Sequence, residues 1–244
     1  MSQIKTIKTL LGCVVLLLLN KVYSQAPDFI EGYNLGGTNA DYGVKSIWSY
    51  DSTIVQCGRT YSDNIDLTNN YGNSDFWISE MDTSGNILKS KNFGGSNYDD
   101  CNDVIQLVDS GYLLVGTTQS NDFDVSFLHG VSDFWVVRID KNFNLIWEKT
   151  YGGTNQDEAK SVFKSSDGNW VISGFTISQD GDVSSNNGSA DFWVIKIDIN
   201  GDIIWGKNFG GSDLDVCYQG SETFDGLLVF GGKTYSDNGD VIDF

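Results

Sequence analysis

Apolar positions in this 244-residue chain come in short runs, broken every ten or so residues by Gly, Asn, Asp and Ser, and no stripe of period 3.6 is visible. Residues 191–244 show the rule. Phe192 to Ile197 is apolar at nearly every position, Asn200-Gly201-Asp202 has hairpin-turn chemistry, and Ile203-Ile204-Trp205 resumes the apolar pattern. Gly210-Gly211 breaks that run; a third strand leads up to Asp225-Gly226, and Leu227 to Thr234 makes a fourth that ends at Ser236-Asp237-Asn238-Gly239. The pattern predicts a four-stranded antiparallel meander. Its first strand is apolar on both faces, as Phe134 and Val136 against Trp135, Val137 and Ile139 show, which suits a strand between two sheets.

The same unit recurs with a period of 58 residues. Gly36-Gly37, Gly94-Gly95, Gly152-Gly153 and Gly210-Gly211 hold register, and Asp41, Asp99, Asp157 and Asp215 follow them at one offset. Gly58, Gly116, Gly174 and Gly232 each open a G-x-T-x-S stretch that closes on Asp66, Asp124, Asp182 or Asp240. A fixed period of this length means one supersecondary unit used several times, whose flanks are too apolar to survive alone. The expected fold is all-β, a β-propeller of four-stranded antiparallel blades that is partial or about four-bladed, with units at about 28–74, 75–132, 133–190 and 191–244. Trp77, Trp135 and Trp193, and separately Trp147 and Trp205, recur inside apolar runs and read as fillers between blades.

The block from Asp133 through Val183, DFWVVRIDKNFNLIWEKTYGGTNQDEAKSVFKSSDGNWVISGFTISQDGDV, resembles the seven-bladed beta-propeller (SBBP-type) repeats of secreted bacterial proteins, especially surface proteins of the Bacteroidetes. The resemblance covers essentially the whole chain after residue 24. It implies an exported propeller, often part of a larger surface protein, and no single chemistry. Residues 28–74 lack the opening strand of their unit, and Asp243-Phe244 reads as the start of the next one. The expectation is therefore a truncated piece of a longer propeller with an exposed edge, circular closure into a composite blade being the alternative.

The first residues follow another pattern. Lys5 and Lys8 precede the apolar run Leu10 to Leu19, and Val22-Tyr23-Ser24 supplies a small-residue cleavage pattern, so residues 1–24 read as a signal peptide and 25–244 as the propeller domain. The run is about half the ~20 residues a membrane span needs, so no transmembrane span is expected. Cys13 lies inside the run and not after it, which sets lipidation aside. Removal of 1–24 takes away Lys5, Lys8 and Lys21 and no acid, so the formal charge of −18 becomes still more negative. Such a field repels nucleic acid and anionic lipid. The remaining cysteines, Cys57, Cys101 and Cys217, are odd in number, and Cys101 and Cys217 share one offset two units apart; that offset, with Gly43 and Ala159, reads as a small buried site and not as half of a disulfide.

Candidate chemistry concentrates in the loops after G-x-T-x-S. Ser62-Asp63-Asn64-Ile65-Asp66, Ser120-Asn121-Asp122-Phe123-Asp124, Ser178-Gln179-Asp180-Gly181-Asp182 and Ser236-Asp237-Asn238-Gly239-Asp240 place side-chain oxygens at nearby positions, as a calcium loop begins. The candidate metal ligands are Asp63, Asp66, Asp122, Asp124, Asp180, Asp182, Asp237 and Asp240; the competing reading is an Asx turn in which they cap the loop's own amides. The Asp41 series reads as architectural. His129 is the single histidine, lies in a variable loop, and reads as solvated. No nucleophile arrangement stands out in one unit, so no catalytic residue is nominated. Asp198-Ile199-Asn200-Gly201-Asp202-Ile203-Ile204-Trp205 is similar to the tryptophan docking repeats of pyrroloquinoline quinone dehydrogenases, a likeness of blade packing. The expected function is a secreted or cell-surface, noncatalytic module that binds or displays a glycan or protein ligand, with calcium as a possible aid. A structural spacer of a larger exported protein is the alternative, with a quinoprotein-like or carbohydrate-active enzyme behind both.

Overall fold

The computed structural model describes residues 13–17, 31–66 and 70–240. Strands β1 (Cys13–Leu17) and β2 (Glu31–Leu35) form an antiparallel pair. Three four-stranded sheets follow in chain order. Sheet I is β3 (Asp41–Trp48), β4 (Ile54–Thr60), β5 (Asp75–Met81) and β6 (Ile87–Phe93). Sheet II is β7 (Asp99–Gln106), β8 (Tyr112–Thr118), β9 (Asp133–Ile139) and β10 (Leu145–Tyr151). Sheet III is β11 (Asp157–Lys164), β12 (Trp170–Thr176), β13 (Asp191–Ile197) and β14 (Ile203–Phe209). A half-sheet of β15 (Asp215–Glu222) and β16 (Leu228–Thr234) closes the described chain. Every sheet is an antiparallel meander, and the described residues contain no helix long and apolar enough to cross a membrane.

The sheets are phased half a unit away from the sequence blocks. The Asp-Phe-Trp strand is the third strand of its sheet and not the first: β5 pairs back across the long loop with β4, Thr60 opposite Asp75, while the Gly-Gly pair is where the chain leaves one sheet for the next. There the connection is a single parallel bridge, Ser74 to Tyr98, Ser132 to Gln156 and Ala190 to Leu214. Burial explains the phase. All seven residues of β5 are buried, so this strand needs a partner on each edge and a sheet against each face, which only an interior place supplies. The long loop, expected to divide sheets, instead joins the second and third strands of one sheet.

The two faces of that third strand feed two different cores. Trp135, Val137 and Ile139 join Phe76, Ile78, Val104 and Leu114 between sheets I and II. Phe134 and Val136 join Ile172, Trp193 and Ile195 between sheets II and III. The indole of Trp135 packs on Phe76 with ring centroids 4.5 Å apart, and Trp193 packs on Phe134 at the same distance. Sheet-to-sheet packing is therefore one aromatic contact repeated every 58 residues.

The first strand of each sheet carries a bulge at a fixed place, after Gly43, Cys101, Ala159 and Cys217. Each of these residues faces the glycine of G-x-T-x-S, and a Cβ on Gly58, Gly116, Gly174 or Gly232 would lie 1.7 to 2.0 Å from the cross-strand carbonyl oxygen. The small-residue offset read from the sequence is this close approach; Cys101, Ala159 and Cys217 are buried, while Gly43 is exposed. Lys45, Asp103, Ser161 and Gln219, one per unit and 58 residues apart, line a single groove of about 510 Å³. Four equivalent positions converging on one space mean that the sheets are arrayed about an axis with their first strands innermost. Among the described residues β16 pairs only with β15, and β1 and β2 pair only with each other. Of the expected signal peptide, residues 13–17 form β1 and the rest lie outside the described residues, as do Asp243 and Phe244.

Candidate functional site

The loop end of the array is built from the recurrent Gly-Gly and Asp positions. In sheet II, Asp99 accepts hydrogen bonds from the hydroxyls of Thr118 and Ser120 (the latter at 2.8 Å) and from the Gly95 amide at 2.7 Å. Ser120 Oγ in turn accepts the Asn97 amide at 3.0 Å. The G-x-T-x-S motif is thus the set of hydroxyls that hold the Gly-Gly turn through one buried carboxylate. Asp41, Asp157 and Asp215 make the same contacts, which establishes the architectural role of that series.

The loop aspartates serve the same turn. Asp66, Asp124, Asp182 and Asp240 accept the amides of Gly36, Gly94, Gly152 and Gly210 at 3.2 to 3.4 Å. Asp122 and Asp180 accept the amides of Ser96 and Thr154 at 2.8 and 2.7 Å, a role that Asn64 and Asn238 fill in the other units. The oxygens cap amides 26 to 30 residues upstream and not those of their own loop, because the turn they brace belongs to the preceding inter-sheet crossing. Asp63 and Asp237 occupy a different offset and are exposed. Among the described residues no three His, Cys, Asp or Glu side chains form a group that could hold a metal ion.

The sequence reading missed the aspartates that open the Asp-Phe-Trp strands. Asp75, Asp133 and Asp191 are fully buried, and each has one carboxylate oxygen, Oδ1, without a hydrogen-bond partner. Burial is the main cause that pushes Asp75 from 3.8 up to about 7; the Tyr71 amide opposes it, and the carboxylates of Asp99 and Asp124 add to it. Asp99, Asp133, Asp157 and Asp191 are raised by burial as well. Their recurrence every 58 residues was the available signal, but a polar residue opening a strand is indistinguishable in sequence from a solvated cap. The solvated reading of His129 is corrected: its Nδ1 lies 2.8 Å from Asp133 and its Nε2 3.8 Å from Asp182, so the imidazole bridges two carboxylates at the place where Tyr71 and Asn187 stand in the other units.

A second polar region lies where the inner strands β7 and β11 meet the ends of β4 and β8, unannounced by any motif. Arg59, Tyr98, Asp100, Asn102, Glu158 and Lys160 line a cleft of about 290 Å³ together with Thr117 and Gln119. Its charges are matched within it. Arg59 meets Asp100 at 2.8 Å and Lys160 meets Glu158 at 2.6 Å. The buried Thr117 hydroxyl that lines it has no partner. Exposed aromatic rings stand beside and beyond it: Tyr98, Tyr42 under the Arg59 guanidinium at 4.5 Å, and Trp48 and Tyr50 farther along the inner strands. Adjacent donors and acceptors with one exposed aromatic ring, Tyr98, suit a neutral, hydroxyl-rich ligand.

No protein-family model matches the chain, and no curated protein matches it in sequence. Among solved structures, a protein of unknown function from Bacteroides caccae is similar at a TM-score of 0.38 and 9% identity, over 86% of this chain and 76% of that one.

Proposed function

We propose that this chain is a noncatalytic binding module of an exported or cell-surface protein, of the SBBP-type repeat class, and that the inner-strand cleft takes a glycan. The observation that carries the reading is the internal pairing of the cleft's charges. Arg59 with Asp100 and Lys160 with Glu158 leave no isolated charge aimed at a reacting atom, whereas alternating donors and acceptors next to Tyr98 match the edges and apolar face of a sugar ring. An oriented but neutralised polar surface binds; it does little to stabilise developing charge. The apolar run Leu10 to Leu19 and the acidic composition support export and a soluble, nucleic-acid-repelling surface.

The test is a glycan array followed by titration of the best ligand, with and without calcium, against the wild-type chain and the Lys160→Ala and Tyr98→Ala variants. Saturable binding that either variant weakens by about tenfold or more supports the cleft. Absence of any saturable glycan, with an unchanged fold, refutes it and leaves the spacer of a larger exported protein as the reading.

A further inference from the structure

Where one sheet packs on the next, the second strand of the one lies against the first strand of the other: β4 on β7, β8 on β11 and β12 on β15. One residue pair recurs at that contact. The offset that holds Cys57, Val115 and Ser173 meets the offset that holds Cys101, Ala159 and Cys217. Val115 and Ala159 share the core between sheets II and III, and Ser173 meets Cys217 at the following interface. Between sheets I and II the pair is Cys57 and Cys101, buried in one core with thiol against thiol. We propose that Cys57 and Cys101 are a disulfide site, which locks sheet I to sheet II when the chain folds in an oxidising environment.

The local backbone favours the bond. Cys101 stands opposite Gly116 and immediately before the bulge of β7, where a strand re-aims its side chains. The sheets come unusually close at this place: a Cβ on Gly116 would lie 2.8 Å from the ring of Phe76 on sheet I. Two cysteines facing across such a contact are the arrangement a disulfide needs, since its Cβ atoms stand only about 4 Å apart. The Cys101 thiol also donates to the Asp103 carbonyl at 3.6 Å, a weak bond whose loss on oxidation costs little. Cys217 supplies an internal control, because the residue it meets is a serine.

Both thiols are free in this structure, which is the reduced state. On oxidation each sulfur gives up its proton and one electron as the S–S bond forms. The two electrons and two protons convert the oxidant, a small-molecule or protein disulfide, to two thiols. One cysteine thiolate attacks that disulfide and expels the first thiol; the other resolves the mixed disulfide and expels the second. Because both sulfurs are buried in the folded chain, the exchange belongs to folding, before sheet II closes on sheet I. The bond closes a loop that carries β5 and β6, so it restricts the unfolded chain far more than the folded one. The export reading enters only as the source of the oxidant.

The test refolds the whole chain from urea, in dithiothreitol or in a mixture of reduced and oxidised glutathione, then alkylates it and maps the peptides. The expected result is a link between Cys57 and Cys101 in the oxidised sample, with Cys217 alkylated, and a melting temperature several degrees above that of the reduced chain. Cys57→Val and Cys101→Ala install the residues of the next interface and abolish the increment, whereas Cys217→Ser keeps it. An oxidised chain without this link, cross-linking spread indifferently over Cys217, or a linked chain that melts no higher than the reduced one overturns the proposal. The oxidant is added in the tube, so failure here leaves the export and glycan readings standing, and the glycan array decides those separately.

Discussion

The buried carboxylates make stability depend on pH in an unusual direction. Asp75 titrates at about 7 in the folded chain against 3.8 when solvated, chiefly because burial disfavours its charge. Between those values the folded state holds a proton that the unfolded state has released, so the folded state binds more protons and stability falls as pH rises. The contribution is fully present below 3.8 and is gone above about 7. The ceiling for this one group is on the order of 4 kcal/mol, from 1.36 kcal/mol per pH unit. Asp99, Asp133, Asp157 and Asp191 are shifted the same way by burial and add to the slope. The turn aspartates oppose them at the acid end: Asp82 and Asp140 are lowered mainly by Asn86 and Asn144, and Asp198 by the Asp202 amide. Their stabilisation is present above the usual carboxylate range and is lost as pH falls through the lowered values. The chain is therefore expected to be most stable in mildly acidic solution, near about pH 5, and to weaken toward pH 8. The assay is the urea midpoint measured from pH 3 to 8 at fixed ionic strength, for wild type, Asp75→Asn and Asp140→Asn. Asp75→Asn flattens the neutral limb; Asp140→Asn alters only the acid limb. A wild-type midpoint that is level or rises from pH 5 to 8, or a neutral limb unchanged in Asp75→Asn, refutes the reasoning.

Trp135→Ala removes an indole that packs on Phe76 and donates to Glu148 at 2.7 Å, and should cost about 3–5 kcal/mol in chemical denaturation; a loss under about 1 kcal/mol would mean that the sheets do not depend on this contact. Gly116→Ala places a Cβ 2.0 Å from the Asp100 carbonyl oxygen, so the strand pair must part and the melting temperature should drop by several degrees, whereas Gly231→Ala, where nothing lies within 4 Å and φ is not positive, meets no such clash. Cys57, Cys101 and Cys217 are free and buried, and burial raises the Cys101 and Cys217 thiols; Ellman's reagent should find all three unreactive until the chain is denatured, and prompt modification of the native protein would contradict the packing.

Much of this is legible in the amino-acid sequence alone. The 58-residue register of Gly-Gly, Asp and G-x-T-x-S positions specified the repeated all-β unit, since only identical local chemistry recurs at identical spacing. The double-sided apolar pattern of Phe134 to Ile139 specified a strand between two cores, because alternate side chains point to opposite faces. Tertiary structure alone decided the phase of the sheets: the sequence marks where the chain turns, while which strand the next one pairs with depends on burial from both neighbours, as for β5. It alone also decided that Asp66 and Asp124 cap distant glycine amides, that Asp75 is buried with an unpartnered oxygen, and that Arg59, Asp100, Glu158 and Lys160 share one cleft. Except for Glu158 and Lys160, which are neighbours on β11, those residues are far apart along the chain, and their charges and hydrogen bonds acquire meaning only when separate strands bring them within a few ångströms. Local pattern records the unit, and the space between units records the chemistry.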